Sequence, residues 1–187
     1  MNEAERKYFR ETRRILQSND DRLVKARLRE LTNTGSSELL PLILDLLKSN
    51  PAQDIKQEII TMLGNLREQA CTQIIAQFIE ENHNSDCISE VVASCWQSRL
   101  DYSAHLSTFT NFFVIGNYQS ALESFTVIEE MAWKLPENRR ADCRRDLLGR
   151  IKEIDDTKRP LFNELINILD SGSTQNSEDY PDLYPDS

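Results

Sequence analysis

Helical apolar clusters recur along this chain at a nearly constant interval. One series of doublets consists of Leu46-Leu47, Phe78-Ile79, Phe112-Phe113 and Leu147-Leu148, separated by steps of 32, 34 and 35 residues. A second series lies between them, with steps of 31, 33 and 34 residues: Val24-Lys25, Ile55-Lys56, Ile88-Ser89 and Leu122-Glu123. A period of this length, built from two helices, is typical of stacked helical repeats. The repetition therefore predicts an architecture, but it does not name a partner or a reaction.

The periodic segments predict five helix pairs within one domain that covers residues 1–170. The predicted ranges are 3–17 with 20–33, 37–49 with 54–66, 69–81 with 86–98, 103–115 with 118–134, and 138–153 with 158–170. Ser18, Asn19 and Asp20 offer capping oxygens to the second helix, and Asn84 or Ser85 to the sixth. With only 5 glycines and 6 prolines in 187 residues, we expect an all-α chain.

Charge and hydropathy exclude several classes of protein. The formal net charge of −9 repels phosphate backbones and anionic membranes, which disfavours generic nucleic-acid binding. The chain contains no run of about 18 apolar residues, so no transmembrane helix is predicted. The charged N-terminal stretch lacks the apolar core of a secretory signal. We therefore expect a cytoplasmic protein without membrane association, provided that the chain is the whole gene product.

Residues 171–187 differ in composition from the rest of the chain. They contain four acids and no Lys or Arg, and their apolar content is too low to offset the entropy of ordering. We therefore expect a flexible acidic tail. It carries a small duplication, Tyr180-Pro181-Asp182 followed by Tyr184-Pro185-Asp186. Either this duplication is a docking motif, or the tail simply keeps the protein soluble.

The second helix of each pair opens with a further pattern. Asp20 and Asp21 precede Val24-Lys25, and Asp54 precedes Ile55-Lys56. The third pair fits in part, because Ser89 follows Ile88, and the fourth pair departs with Leu122-Glu123. The pattern resembles HEAT repeats, in which an acidic residue and then a Val-Arg or Val-Lys pair open the second helix. The resemblance covers about residues 3–170 and implies a right-handed α-solenoid of about five antiparallel helix pairs.

The resemblance also implies a recognition surface, because the second helices line the concave face of HEAT-like stacks. Its candidate residues are Lys25, Arg29, Gln57, Thr61, Glu90, Gln97 and Glu123. We expect a non-catalytic scaffold or adaptor for a protein partner with a basic or mixed surface. One alternative is a small acidic inhibitor or immunity-type protein that masks a basic partner. Another is a HEAT-like nucleic-acid enzyme or a chromophore lyase.

Residues that could support catalysis are sparse. The two histidines, His83 in a polar turn and His105 within the fourth pair, belong to no metal-binding or nucleophile motif. The four cysteines, Cys71, Cys87, Cys95 and Cys143, form no C-x-x-C pair and lie at apolar helix positions, which indicates reduced core thiols. We expect neither a metal nor a cofactor.

Two further side-chain groups have alternative interpretations. The basic cluster Arg139, Arg140, Arg144, Arg145 and Arg150 lies among acidic neighbours. It is interpreted as a solvated, self-paired face, with a phosphate or acidic-partner site as the alternative. Trp96 is in phase with Ile88 and Val92 and is expected in the core. Val127 and Met131 either pack on the fifth pair or form an exposed apolar patch.

Overall fold

The structure is a computed structural model, and it describes residues 2–34 and 37–171. The helices are α1 (Glu3–Leu16), α2 (Asp21–Thr34), α3 (Leu40–Lys48), α4 (Gln53–Gly64), α5 (Cys71–Glu81), α6 (Ile88–Ser98), α7 (Leu106–Ile115), α8 (Tyr118–Ala132), α9 (Glu137–Gly149) and α10 (Arg159–Ser171). Short 3₁₀ turns cover Ser103–His105, Ile151–Glu153 and Asp156–Lys158. No strand occurs in the described residues, so the predicted all-α class is confirmed.

Helix ends follow the local capping chemistry. Asp20 caps α2 as predicted, because its Oδ1 accepts hydrogen bonds from the backbone N–H groups of Arg22 at 3.0 Å and Leu23 at 3.2 Å. The predicted cap of α6 is wrong, since that helix begins at Ile88 without a side-chain cap. The predicted early start of α3 is also wrong. Residues 37–39 form a turn, and the helix begins at Leu40, next to Pro41.

The helices contact one another in two series. In the odd-numbered series α1 packs on α3, α3 on α5, α5 on α7 and α7 on α9. In the even-numbered series α2 packs on α4, α4 on α6, α6 on α8 and α8 on α10. Consecutive helices also contact each other within every pair. Each pair therefore buries its apolar sides against the neighbouring pairs.

The recurring doublets supply the core between the two series. Leu47, Ile79, Phe113 and Leu147 are all buried, and so are Val24, Ile55 and Ile88. One connected cluster of buried side chains extends from Leu16 to Leu169. Truncating one of these leucines to alanine typically costs roughly 2–5 kcal/mol of stability. The sequence period thus reflects one shared core.

Only the first residue of the predicted tail belongs to the described part of the chain. Ser171, the first residue of that segment, is the last residue of α10. The remaining predicted tail, including both Tyr-Pro-Asp units, lies outside the described residues.

Candidate protein-binding face and cleft

Polar contacts connect neighbouring helices of the even-numbered series. Lys25 on α2 forms an ion pair with Asp54 on α4, and one turn further on Arg29 pairs with Glu58, with 2.8 Å between Nε and Oε1. Both pairs join residues 29 positions apart. Because both contacts advance together along the two helices, α2 and α4 run in the same direction.

The same arrangement continues along the series. Lys56 Nζ on α4 lies 2.6 Å from Glu90 Oε2 on α6. Between α6 and α8, the Ser89 and Ser120 hydroxyls are 2.9 Å apart, and the Trp96 indole N–H donates to Glu123 Oε2 at 3.1 Å. We call these contacts the interhelix ladder. It connects α2, α4, α6 and α8 in order.

Four of the seven predicted site residues belong to this ladder. Lys25, Arg29, Glu90 and Glu123 each have a partner on the adjacent helix. Arg29 is exposed, while the other three are half-buried. The charges of Lys25, Arg29 and Glu90 are matched by opposite charges, whereas Glu123 accepts hydrogen bonds from the neutral Trp96 indole and Gln119 amide. This structural role accounts for their polar character without a protein that binds there.

The other three predicted residues have different surroundings. Gln57, Thr61 and Gln97 are exposed on α4 and α6. Within the described part of the chain, their side chains make no hydrogen bond or ion pair. The Gln97 side chain packs over Gly64, where an added Cβ would lie 2.8 Å from Gln97 Oε1. We call the surface formed by these three side chains the even-helix face.

A cleft of about 540 Å³ opens at the C-terminal ends of α6 and α8. We call it the α6–α8 cleft, and its lining includes Trp96, Arg99, Leu100, Glu130, Met131 and Lys134. The prediction that Trp96 belongs to the core is wrong, because this side chain is 39% exposed. Its indole N–H reaches Glu123 instead of a core partner. One aromatic ring is thereby presented beside a cavity.

Apolar residues form the floor of this cleft. Val127 and Met131 are buried there, so they do not form the exposed apolar patch considered from the sequence. Tyr102 is also buried, and its ring packs edge-on against Phe109. Burial raises the pKa of Tyr102 well above its ordinary value and that of Cys95 to about 12. Both groups therefore stay protonated at neutral pH.

The cleft rim carries charges of both signs. Arg99 ends α6 in the left-handed conformation with φ of 58°, which is uncommon for a residue with a side chain. Lys134 follows α8, and Glu130 lies one turn before it. Nearby, hydrogen bonds from the hydroxyl and backbone N–H of Ser103 lower the pKa of Asp101, and Lys134 lowers it further. Sequence reasoning missed this cleft, because no local pattern signals a left-handed arginine.

Four members of the arginine cluster on and just after α9 are paired with acids, as the self-paired interpretation predicts, while Arg139 donates to the Ser103 carbonyl at 3.2 Å. Arg145 pairs with Asp142, and Arg150 with Glu153, within the same segment. Arg144 reaches Asp170 on α10 at 2.7 Å. Arg140 also pairs within the segment, with 2.6 Å between its guanidinium and Glu137 Oε2; in addition it is buried and donates to the Leu135 carbonyl at 2.7 Å.

A buried lysine ties the fourth pair to the fifth. Lys158 Nζ donates to the carbonyls of Phe113, Val114 and Gly116 at 3.2, 2.6 and 2.9 Å. It thereby satisfies carbonyls that the end of α7 leaves without helical partners. Burial lowers the pKa of Lys158, and Asp155 opposes this effect.

The structure offers few groups for metal or redox chemistry. All four cysteines are buried and free, which confirms their predicted positions in the core. Within 2–34 and 37–171, no group of His, Cys, Asp and Glu side chains could hold a metal ion. In the same ranges, no helix has both the length and the apolar composition needed to cross a membrane.

Comparisons with known proteins give no relative from which a function could be transferred. No protein-family model, no curated protein and no solved structure matches this chain. The even-helix face and the α6–α8 cleft are therefore interpreted from their own chemistry.

Proposed function

We propose that the chain is a non-catalytic protein-binding scaffold with the architecture of a right-handed, HEAT-like α-solenoid. Its concave surface would consist of the even-numbered helices, with the even-helix face at its centre. Contacts between each helix and the next helix of its own series support this architecture, because helical repeats stack in this way.

The observation that carries the proposal is the contrast within the even-numbered helices. The ladder side chains satisfy one another, while Gln57, Thr61 and Gln97 keep their hydrogen-bonding groups available. When the surrounding side chains are held by their own contacts, a binding surface loses little conformational entropy on binding. The unpaired amides and hydroxyl can then form hydrogen bonds with a partner. These three side chains are therefore the favoured contact residues.

The charge of the chain favours a partner with a basic or mixed surface. The net charge is −9, and Glu130 is exposed on α8, with Glu129 half-buried beside it. Opposite charges raise the rate of encounter and suppress unsuitable partners. Cytoplasmic location is part of the proposal, in keeping with the reduced cysteines.

The proposal is tested by photo-crosslinking in cells of the organism that naturally produces the protein. A photoreactive residue at Gln57 should crosslink to a specific protein. The same residue at Gln73, an exposed glutamine on the odd-numbered helix α5, should not. Equal crosslinking from both positions would contradict the proposed face.

A charge variant then tests the affinity. Gln57→Arg combined with Thr61→Arg should lower the affinity for a basic partner by on the order of tenfold or more, because like charges would meet at the contact. Gln73→Arg is the matched control and should leave the affinity unchanged. Lys25 and Arg29 are poorer probes, since their substitution also breaks ion pairs with α4.

A second candidate is an inhibitor of the immunity type that masks a basic enzyme or toxin. The adjacent carboxylates Glu129 and Glu130 on α8 favour it, and Glu123, which already accepts a hydrogen bond from Trp96, lies seven residues before Glu130 on the same helix face. For this class, Glu129→Gln with Glu130→Gln would abolish binding more strongly than Gln57→Arg. The reverse order supports the scaffold.

A further inference from the structure

We propose that the α6–α8 cleft is the seat of this chain's own C-terminal segment, residues 180–186, which docks within the same molecule. The two Tyr-Pro-Asp units would place a proline ring against Trp96 and an aspartate beside Arg99 or Lys134. This inference depends on the cleft and not on the proposed scaffold function, although Gln97 of the even-helix face also lines the cleft.

The cleft matches the chemistry of such a segment. Trp96 presents an exposed ring above an apolar floor that contains Leu100 and Met131. Proline-containing segments characteristically dock on grooves lined by aromatic residues, since their backbone is already extended and loses little entropy. The cations Arg99 and Lys134 stand at the rim, where they can pair with carboxylates.

The segment supplies complementary groups in a matching order. Each unit places an acid directly after a Tyr-Pro dipeptide, and residues 172–187 contain no Lys or Arg. The units begin four residues apart, at Tyr180 and Tyr184. Two equivalent units offer two ways to fill one cleft, which raises the occupancy statistically.

The point at which the described chain ends puts this segment within reach. Lys158, just before α10, binds the Gly116 carbonyl just before α8, so these two packed helices begin at the same edge. They therefore run in the same direction, and α10 ends on the cleft side of the molecule. Two helix spacings amount to about 20 Å. The nine residues from Ser171 to Tyr180 can span about 30 Å when extended.

The covalent connection compensates for a small contact area. A short flexible linker gives a tethered ligand an effective concentration on the order of millimolar. A site that binds the free peptide only weakly is then largely filled. Glu130 opposes docking, because its carboxylate shares the cleft with the incoming aspartate. Glu130→Gln should therefore tighten it.

Fluorescence of Trp96 tests the proposal in the full-length chain. The chain has two tryptophans, and Trp133 is 53% exposed, so Trp133→Phe leaves Trp96 as the single reporter in an intact fold. In this background, replacing Pro181 and Pro185 with Ser should shift the Trp96 emission to longer wavelength and increase its quenching by acrylamide. Replacing Gln175 and Asn176 with Ser, in the same tail, should change neither signal.

The cleft side is tested with Arg99→Gly and Lys134→Gln. Glycine adopts positive φ freely, so Arg99→Gly removes the guanidinium while keeping the backbone conformation. Together these changes should reproduce the signal of the proline variant. Adding a millimolar synthetic peptide of residues 178–187 to the proline variant should restore the original signal, and a scrambled peptide should not.

Three results would overturn the inference. The first is an unchanged Trp96 signal in the proline variant. The second is a Trp96 signal that depends on protein concentration, which would place the segment in a neighbouring copy. The third is equal rescue by the scrambled peptide. Because no partner is added, failure here leaves the crosslinking test of the scaffold unaffected.

Discussion

At the scale of single residues, Gly116 is required by close packing. A Cβ at this position would lie 2.5 Å from Ser120 Cβ and 2.7 Å from the Phe112 carbonyl oxygen. We expect Gly116→Ala to lower the free energy of unfolding by roughly 1–3 kcal/mol, because backbone must move. Gly149→Ala is the control. With nothing within 4 Å, it should raise that free energy by roughly 0.5–1 kcal/mol. Urea denaturation measures both.

Lys158 is the residue whose role the sequence conceals most completely. Lys158→Met keeps the aliphatic stem but removes the donors to three carbonyls. We expect the free energy of unfolding to fall by on the order of 3 kcal/mol, because buried acceptors lose their partner. Lys152→Met, in an exposed position of the same connection, should change it by less than about 0.5 kcal/mol. Equal effects in thermal denaturation would refute the capping role.

The buried thiols predict a pH dependence. Burial raises the pKa of Cys143 to about 12 and that of Cys71 to about 11. A raised pKa means that the fold favours the protonated thiol. This stabilisation is therefore fully present below the ordinary value of 9 and is lost as the pH rises toward 11 and 12. Denaturation curves at increasing alkaline pH should show it, and the loss should be smaller in Cys143→Ala.

At the scale of elements, the interhelix ladder should contribute measurable coupling. Lys56 and Glu90 have side chains that are 18% and 44% exposed. A double-mutant cycle with Lys56→Met and Glu90→Gln should give a coupling of roughly 0.5–1 kcal/mol. The pair Arg145–Asp142, exposed at 77% and 60%, should give a smaller coupling. A larger value for this exposed pair would contradict the importance of the ladder.

Sequence reasoning recovered elements where the signal is local. The cap at Asp20 is set by nearby residues, and it lies at the start of α2 as predicted. It failed where distant contacts decide the outcome. Trp96 has the helical phase of a core residue, but a hydrogen bond to Glu123 on the next helix holds its ring at the surface.

At the scale of the whole molecule, the two helix series predict a gradient of local stability. Of the residues of α1, only Thr12 and Leu16 are buried, whereas α6 packs between α4 and α8. Terminal elements with neighbours on one side open more easily. In hydrogen exchange, we expect amides of α1 to exchange fastest and those of α6 and α8 slowest. Uniform protection would instead indicate one fully cooperative unit.

The sequence predicts the repeat period of the fold better than it predicts the binding surface. Apolar spacing predicts most of the buried positions, since burial follows the helical period at sites such as Leu47 and Phe113, although Trp96 is an exception. Polar residues of the second helices look equivalent in the sequence. The fold separates them into ladder members such as Lys25 and unpaired side chains such as Gln57, because a partner one repeat away decides which charges are already matched.

The offset between ladder partners also has an evolutionary consequence. Lys56 occupies in the second pair the position that Lys25 has in the first, as their doublets indicate. A tandem gene duplication of α3 and α4 would therefore deliver a new Asp54 opposite the original Lys56. The inserted helix pair would already carry the charged residues that pair with its neighbours. The protein could therefore gain whole repeats without changes to its terminal repeats.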